Sequence, residues 1–170
     1  MSIEWLVKPP EFNLAAAHRF FAADCFNRTW ELIDLPARSP VENEQMLLAA
    51  MASVWHWTQR AEVSARELSI GCWQVSRVYA LLGQAANAAD FGERCLRHST
   101  GLAPFYIGYA HEALARAARL AGDDARMRHH LDEARKCVAT VTDQGEREAL
   151  EKDLVSIQAE LKRVSSPRAL

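Results

Sequence analysis

Five residues carry side chains suited to gripping a ligand. Trp73 and Arg77 lie one helical turn apart, and Tyr109, Glu112 and Arg116 repeat that spacing further along the chain. An aromatic plate with mixed charges beside it can hold a peptide by stacking and by bidentate hydrogen bonds. The same residues also have a structural reading, in which Trp73 fills a gap between helical hairpins. Glu112 and Arg116 would then form an ordinary i, i+4 pair worth roughly a few tenths of a kcal/mol.

His56 is a second candidate. It lies opposite the Leu47, Ala50 and Val54 stripe and next to Ala49, Ala52 and Ser53, a face of small residues that allows close approach of a helix or a ligand. An imidazole whose ordinary pKa is about 6.5 can serve as a general base or a pH-sensitive contact. No acid or nucleophile can be assigned to it from sequence, so a histidine hydrogen-bonded between helices is the simpler reading. With Trp57 and Trp73 it marks a candidate interhelical pocket for a small molecule.

Other chemistry lacks the spacing it needs. Glu-x-x-His pairs and His-Glu-x-x-His, which aim ligands from one helix face at one ion, do not occur. His129 and Glu133 are four apart but lie among Arg126, Arg128 and Arg135, as on a solvated charged face. His18 reads as a lone packing histidine. Phosphate loops, nucleophile elbows and paired redox cysteines are missing too. We therefore expect no catalytic residues, no metal and no cofactor. Arg116, Arg119, Arg126, Arg128, Arg135 and Lys136 make one region basic, but Glu112, Asp123, Asp124, Asp132 and Glu133 are interleaved with them. Without a one-sided basic stripe, nucleic acid is not an expected partner.

The elements that position these residues are helices. The 170 residues are 49% hydrophobic and 25% charged with a formal charge of -2, a composition that supports one soluble core. The longest apolar stretch, Met46 to Trp57, is too short to cross a bilayer. Glu4 and Pro9-Pro10 interrupt the apolar run that a secretory signal needs, and Cys25, Cys72, Cys95 and Cys137 are widely spaced. A cytoplasmic protein without membrane contact is the expectation.

No stretch alternates with period two, and Pro and Gly fall at intervals that separate segments rich in Ala, Leu, Arg and Glu. The chain reads as all-α with about seven antiparallel helices. The first runs from Asn13 to Leu35, with Leu14, Ala22, Cys25, Phe26, Trp30 and Ile33 on its packing side. Capping boxes at Ser39-Pro40-Val41-Glu42 and Ser64-Ala65-Arg66-Glu67 open the second and third. The third ends at Gly83. The fourth spans Ala86 to Ser99, Pro104 opens the fifth, Gly122 ends it, and Asp123 or Asp124 caps the sixth. The last runs from Asp143 to Val164 with Leu150, Leu154, Ile157, Leu161 and Val164 on one side. Residues 1–12 read as an N-terminal extension, 13–164 as a single domain and 165–170 as a flexible tail.

Two hairpins superimpose at a shift of 39 residues, pairing Val75 with Leu114, Arg77 with Arg116, Leu81 with Leu120, Gly83 with Gly122 and Cys95 with Ala134. Tyr79-Ala80-Leu81-Leu82-Gly83, followed by Ala88 and Cys95, resembles the tetratricopeptide repeat, with a large residue, a turn glycine and two small packing residues in that order. Ala118, Gly122 and Ala134 echo it. Met127 stands where that family prefers alanine, neither copy has the closing proline, and the shift exceeds the family's repeat of about 34 residues. The segments from Cys25 to Trp30 and from Ser53 to Trp57 are similar to small bacterial proteins built from such helix pairs. The resemblance implies three stacked hairpins covered by a capping seventh helix.

In that architecture the first helix of each pair lines a concave surface, so helices one, three and five would present Trp73, Arg77, Tyr109, Glu112 and Arg116. The expected function is a non-catalytic module that binds a protein or peptide segment there. The alternative is a small-molecule-binding protein or enzyme using the pocket near His56 and Trp73. A third reading makes helix seven's leucine stripe an assembly surface for a homodimer, weakened by Leu154→Glu.

Overall fold

The computed structural model describes residues 11–164. Residues 1–10 of the expected extension and the expected tail 165–170 lie outside that range. Among the described residues there are seven helices and no strand: α1 (Leu14–Ile33), α2 (Pro40–Thr58), α3 (Ala65–Leu81), α4 (Ala85–Ser99), α5 (Pro104–Leu120), α6 (Asp124–Val138) and α7 (Gln144–Val164).

Local chemistry sets the helix ends. Both expected capping boxes form. Ser39 Oγ accepts from the Glu42 N–H while Glu42 accepts from the Ser39 N–H at 2.7 Å, and Ser64 with Glu67 repeats this at 2.8 Å. Asp123 caps α6 by accepting from the Arg126 N–H. α1 stops at Ile33 rather than Leu35, because Pro36 disfavours the helical conformation for the residue before it. Gly83 and Gly122 close α3 and α5 with φ of 75° and 74°, a left-handed conformation that a side chain would strain. The following residues, Gln84 and Asp123, each donate back to Tyr79 and Ala118 carbonyls at 2.9 Å. The two turns are the same motif, as the 39-residue overlay requires.

Consecutive helices pack as antiparallel pairs. Ser53 of α2 donates to the Ala22 carbonyl of α1 at 2.8 Å, and Ser76 of α3 donates to the Ala88 carbonyl of α4 at 2.7 Å. Small residues at these crossings let the backbones approach. α3, α5 and α7 lie side by side and parallel, since Trp73 meets Glu112, Tyr109 meets Asp153, and Arg116 meets Ser156. α5 is the central element, buried continuously from Glu112 to Ala118.

Three apolar clusters hold the stack. Met46 and Ala50 of α2 meet Val75 and Val78 of α3, while Cys72, Cys95 and Ala110 join α3, α4 and α5. The third cluster packs Leu150, Leu154 and Ile157 of α7 onto Ala115, Met127, Leu131 and Ala134. α7 therefore caps the last hairpin. This overturns the assembly reading of its stripe: Leu154 is 5% exposed and committed to the internal core, so it offers no surface to a second copy. Leu161 and Val164 lie beyond the described side chains. Apolar exposure is most extensive on α1 and α2, where Phe20, Leu48 and Trp55 are each more than half exposed, while on α7 Val155 faces solvent. Leu14, expected on the packing side of α1, is 53% exposed, whereas Ala22 and Thr29 are the buried residues of that helix.

Candidate aromatic groove

The five residues singled out by helical spacing meet in one polar network. Trp73 Nε1 donates to Glu112 Oε2 at 2.9 Å, and Arg116 Nε donates to Glu112 Oε1 within the same helix. Arg77 approaches Glu112 Oε1 at 3.9 Å from α3. On the other flank, Arg116 Nη2 donates to Ser156 Oγ at 2.6 Å and to the Asp153 carbonyl at 3.1 Å. Tyr109 donates its hydroxyl proton to Asp153 Oδ2 at 3.1 Å. The network therefore ties α3 to α5 and α5 to α7.

Burial separates the members. Glu112 is completely buried and Arg116 is 8% exposed, so they lie beneath the surface rather than on it. A buried ion pair of this kind holds its geometry because removing either partner leaves an uncompensated charge. Trp73 and Tyr109 are half-buried, with their polar atoms held by the network and their rings left to form walls.

Those walls enclose a cleft of about 270 Å³ between Trp30, Ile70, Trp73, Phe105, Tyr109 and Asp153. Trp30 and Trp73 have ring centroids 5.7 Å apart at 35°, while Trp73 and Tyr109 stand 5.2 Å apart at 75°. Trp73 thus shares one wall with Trp30 and makes a corner with Tyr109. A second cleft of about 260 Å³, lined by Phe26, Trp57, Arg66 and Glu67, meets the first at Ile70. The two clefts share Ile70 in their lining and make up the candidate groove between α1 and α3, the first reaching α5. Trp57 belongs to this groove, where Arg60 sits 4.8 Å over its ring and is held by Glu67 at 2.8 Å. Arg77 and Arg116 also line a separate cleft with Arg119, at the other end of α3 and α5.

His56 is placed elsewhere. Its Nδ1 is 2.9 Å from His18 Nδ1, and the rings of Phe21 and Trp55 pack around it. Burial and then His18 push the His56 pKa down. Adjacent positions on a helix point about 100° apart, so His56 faces α1 while Trp57 faces α3. His18 is not a lone packing histidine but half of this pair. A second pair, His111 and His130, joins α5 to α6 at 3.1 Å.

Burial keeps two of the thiols protonated. It raises the Cys72 thiol to about 11 and the Cys95 thiol to about 12, so neither is ionised near neutral pH. Burial and then Asp153 push the Tyr109 hydroxyl up as well. Two basic residues of α6 are engaged locally, Arg135 with Asp132 at 2.9 Å and Lys136 with Glu133 at 2.6 Å, and Arg126 reaches Glu93 of α4 at 3.7 Å. Among the described residues, no three His, Cys, Asp or Glu side chains are grouped to hold a metal ion, and no helix is long and apolar enough to cross a membrane.

Two side chains that line the cleft were not singled out by the sequence reading. Trp30 was assigned to the packing side of α1, and Asp153 was not singled out. The signal for Asp153 and Ser156 was present, since each precedes a buried residue, Leu154 or Ile157, and so flanks the inward seam. Comparison with family models, curated proteins and solved structures finds no match to this chain.

Proposed function

We propose that the chain is a non-catalytic interaction module that holds a peptide segment of a partner protein in the groove between α1, α3 and α5. The observation that carries this reading is the division of labour in the aromatic side chains. The polar atoms of Trp73 and Tyr109 are bound inside the protein, which fixes both rings and leaves their apolar surfaces as walls of a cleft. Rigid aromatic surfaces lose little side-chain entropy on contact and dominate recognition sites. Glu112 and Arg116 act beneath the groove as positioning residues, and Arg77 extends the network along α3.

Two linked clefts of about 260 and 270 Å³ suit successive side chains of an extended peptide better than one enclosed small molecule, which needs roughly 300–1,000 Å³. The stacking of hairpins with a capping helix supports kinship in architecture with tetratricopeptide repeats, whose concave surfaces carry ligands. Thiols left unpaired in all four cysteines accord with a cytoplasmic setting.

Affinity capture from native extract tests the proposal. Trp30→Leu is the variant of choice, because Trp30 walls the cleft without belonging to the polar network. The proposal expects a protein retained by wild type and lost by Trp30→Leu, with Val155→Glu on exposed α7 retaining it. Equal capture by wild type and Trp30→Leu would overturn it.

A further inference from the structure

The chemistry of the cleft favours one class of side chain. Its walls are mainly the rings of Trp30, Trp73, Phe105 and Tyr109 with the aliphatic Ile70, completed by Tyr106 and Ser69, and Asp153 is the one formally charged residue among the described residues that line it. Aromatic faces carry negative electrostatic potential, so a cation seated in the cleft against the ring faces turned toward it is attracted. The carboxylate adds to that attraction. An anion would meet repulsion from both, and a neutral alkyl group would use the walls but gain nothing from the carboxylate, which Tyr109 and Arg116 already partner.

The charge of Asp153 reaches the cleft. Its side chain is 32% exposed, and Arg116 Nη2 stands 3.7 Å from Oδ1. That guanidinium is shared: its Nε serves the fully buried Glu112, and its Nη2 also serves Ser156. Arg77, the other cation of the network, approaches Glu112 and lines the cleft at the far end of α3. The Tyr109 hydroxyl donates to Asp153, which fixes the carboxylate at the cleft and directs the tyrosine dipole toward it. A weakly hydrated alkylated ammonium matches such a site, because its methyl groups contact the rings and it needs no hydrogen-bond acceptor at every face.

We propose that the Trp30–Trp73–Tyr109 cleft with Asp153 receives an alkylated lysine side chain of the bound peptide. This inference rests on the groove reading and specifies its ligand. The test is a matched pair: an N-acetylated, C-amidated trimethyllysine and the isostere in which carbon replaces the quaternary nitrogen, titrated against wild-type protein by tryptophan fluorescence and calorimetry. The trimethyllysine compound is expected to bind about tenfold more tightly than the neutral isostere. Asp153→Asn, which keeps an acceptor for Tyr109, is expected to erase most of that preference. Equal or tighter binding of the isostere, no binding by either compound, or a preference unaffected in Asp153→Asn would overturn the inference. If both compounds bind alike and Trp30→Leu abolishes both, the cation inference falls while the groove reading stands. The groove reading itself fails on equal capture by wild type and Trp30→Leu.

Discussion

The indole nitrogen of Trp73 donates to the carboxylate of Glu112 across 39 residues, the same interval at which the two hairpins superimpose. Equivalent positions on parallel helices α3 and α5 therefore touch directly. One contact joins the repeat geometry to the aromatic wall, since the bond that sets the register of the helices also fixes the ring.

That bond depends on a buried ion pair. Glu112→Gln leaves the Arg116 guanidinium without its nearest counter-charge, and we expect a loss of about 3 kcal/mol in urea denaturation. Adding Arg116→Gln should recover part of this loss, giving a coupling energy of at least about 1 kcal/mol. Additive losses would show that the pair does not act as a unit. Trp73→Phe removes the indole donor together with part of the ring that packs on Trp30 and Tyr109, and should cost about 1–3 kcal/mol.

Glycine substitutions separate two mechanisms. At Gly108 a Cβ would stand 2.5 Å from Leu150 Cδ2 and 3.2 Å from Cys137 Cβ, so it would push α7 and α6 away from α5. Helix propensity returns about 1 kcal/mol for Gly108→Ala and overpacking costs about 1–3, leaving a net loss of about 1 kcal/mol. Gly108→Val should lose more. At Gly83 a Cβ would meet nothing within 4 Å, so the cost of Gly83→Ala is backbone strain alone, about 1–2 kcal/mol. Thermal unfolding of the three variants checks both.

The histidine pair between α5 and α6 makes stability depend on pH. Burial first, and then His111, lower His130 to about 4, with His129 and Arg126 acting in the same direction and Glu133 opposing. Burial lowers His111 too. The unfolded chain, with an ordinary value of about 6.5, takes up these protons first as pH falls. The contribution is complete above about pH 6.5 and is lost as pH drops toward 4. The urea midpoint should fall between about pH 7 and pH 5, and His130→Gln should flatten that slope. An unchanged slope would contradict the assignment.

Legibility followed the range of the interaction. The boxes at Ser39 and Ser64 and the turns at Gly83 and Gly122 were readable because each is completed within a few residues. Trp73, Glu112 and Arg116 were readable because one helical turn sets their spacing. Trp30 and Asp153 come from α1 and α7, and nothing local marks which distant helix a residue will face. The leucine stripe of α7 was open to two readings because an internal core and an interface between copies need the same pattern. Only the tertiary contact of Leu154 with the α5–α6 hairpin decided between them.

The groove itself is tested most directly by site-specific photo-cross-linking in cells. Benzoylphenylalanine would replace Arg66, an exposed residue on the groove rim, and in a control would replace Val155 on the exposed side of α7. The account predicts a discrete cross-linked protein from position 66 that disappears when Trp30→Leu is added, and none of the same species from position 155. The same products from both positions, or a product at 66 indifferent to Trp30→Leu, would contradict it.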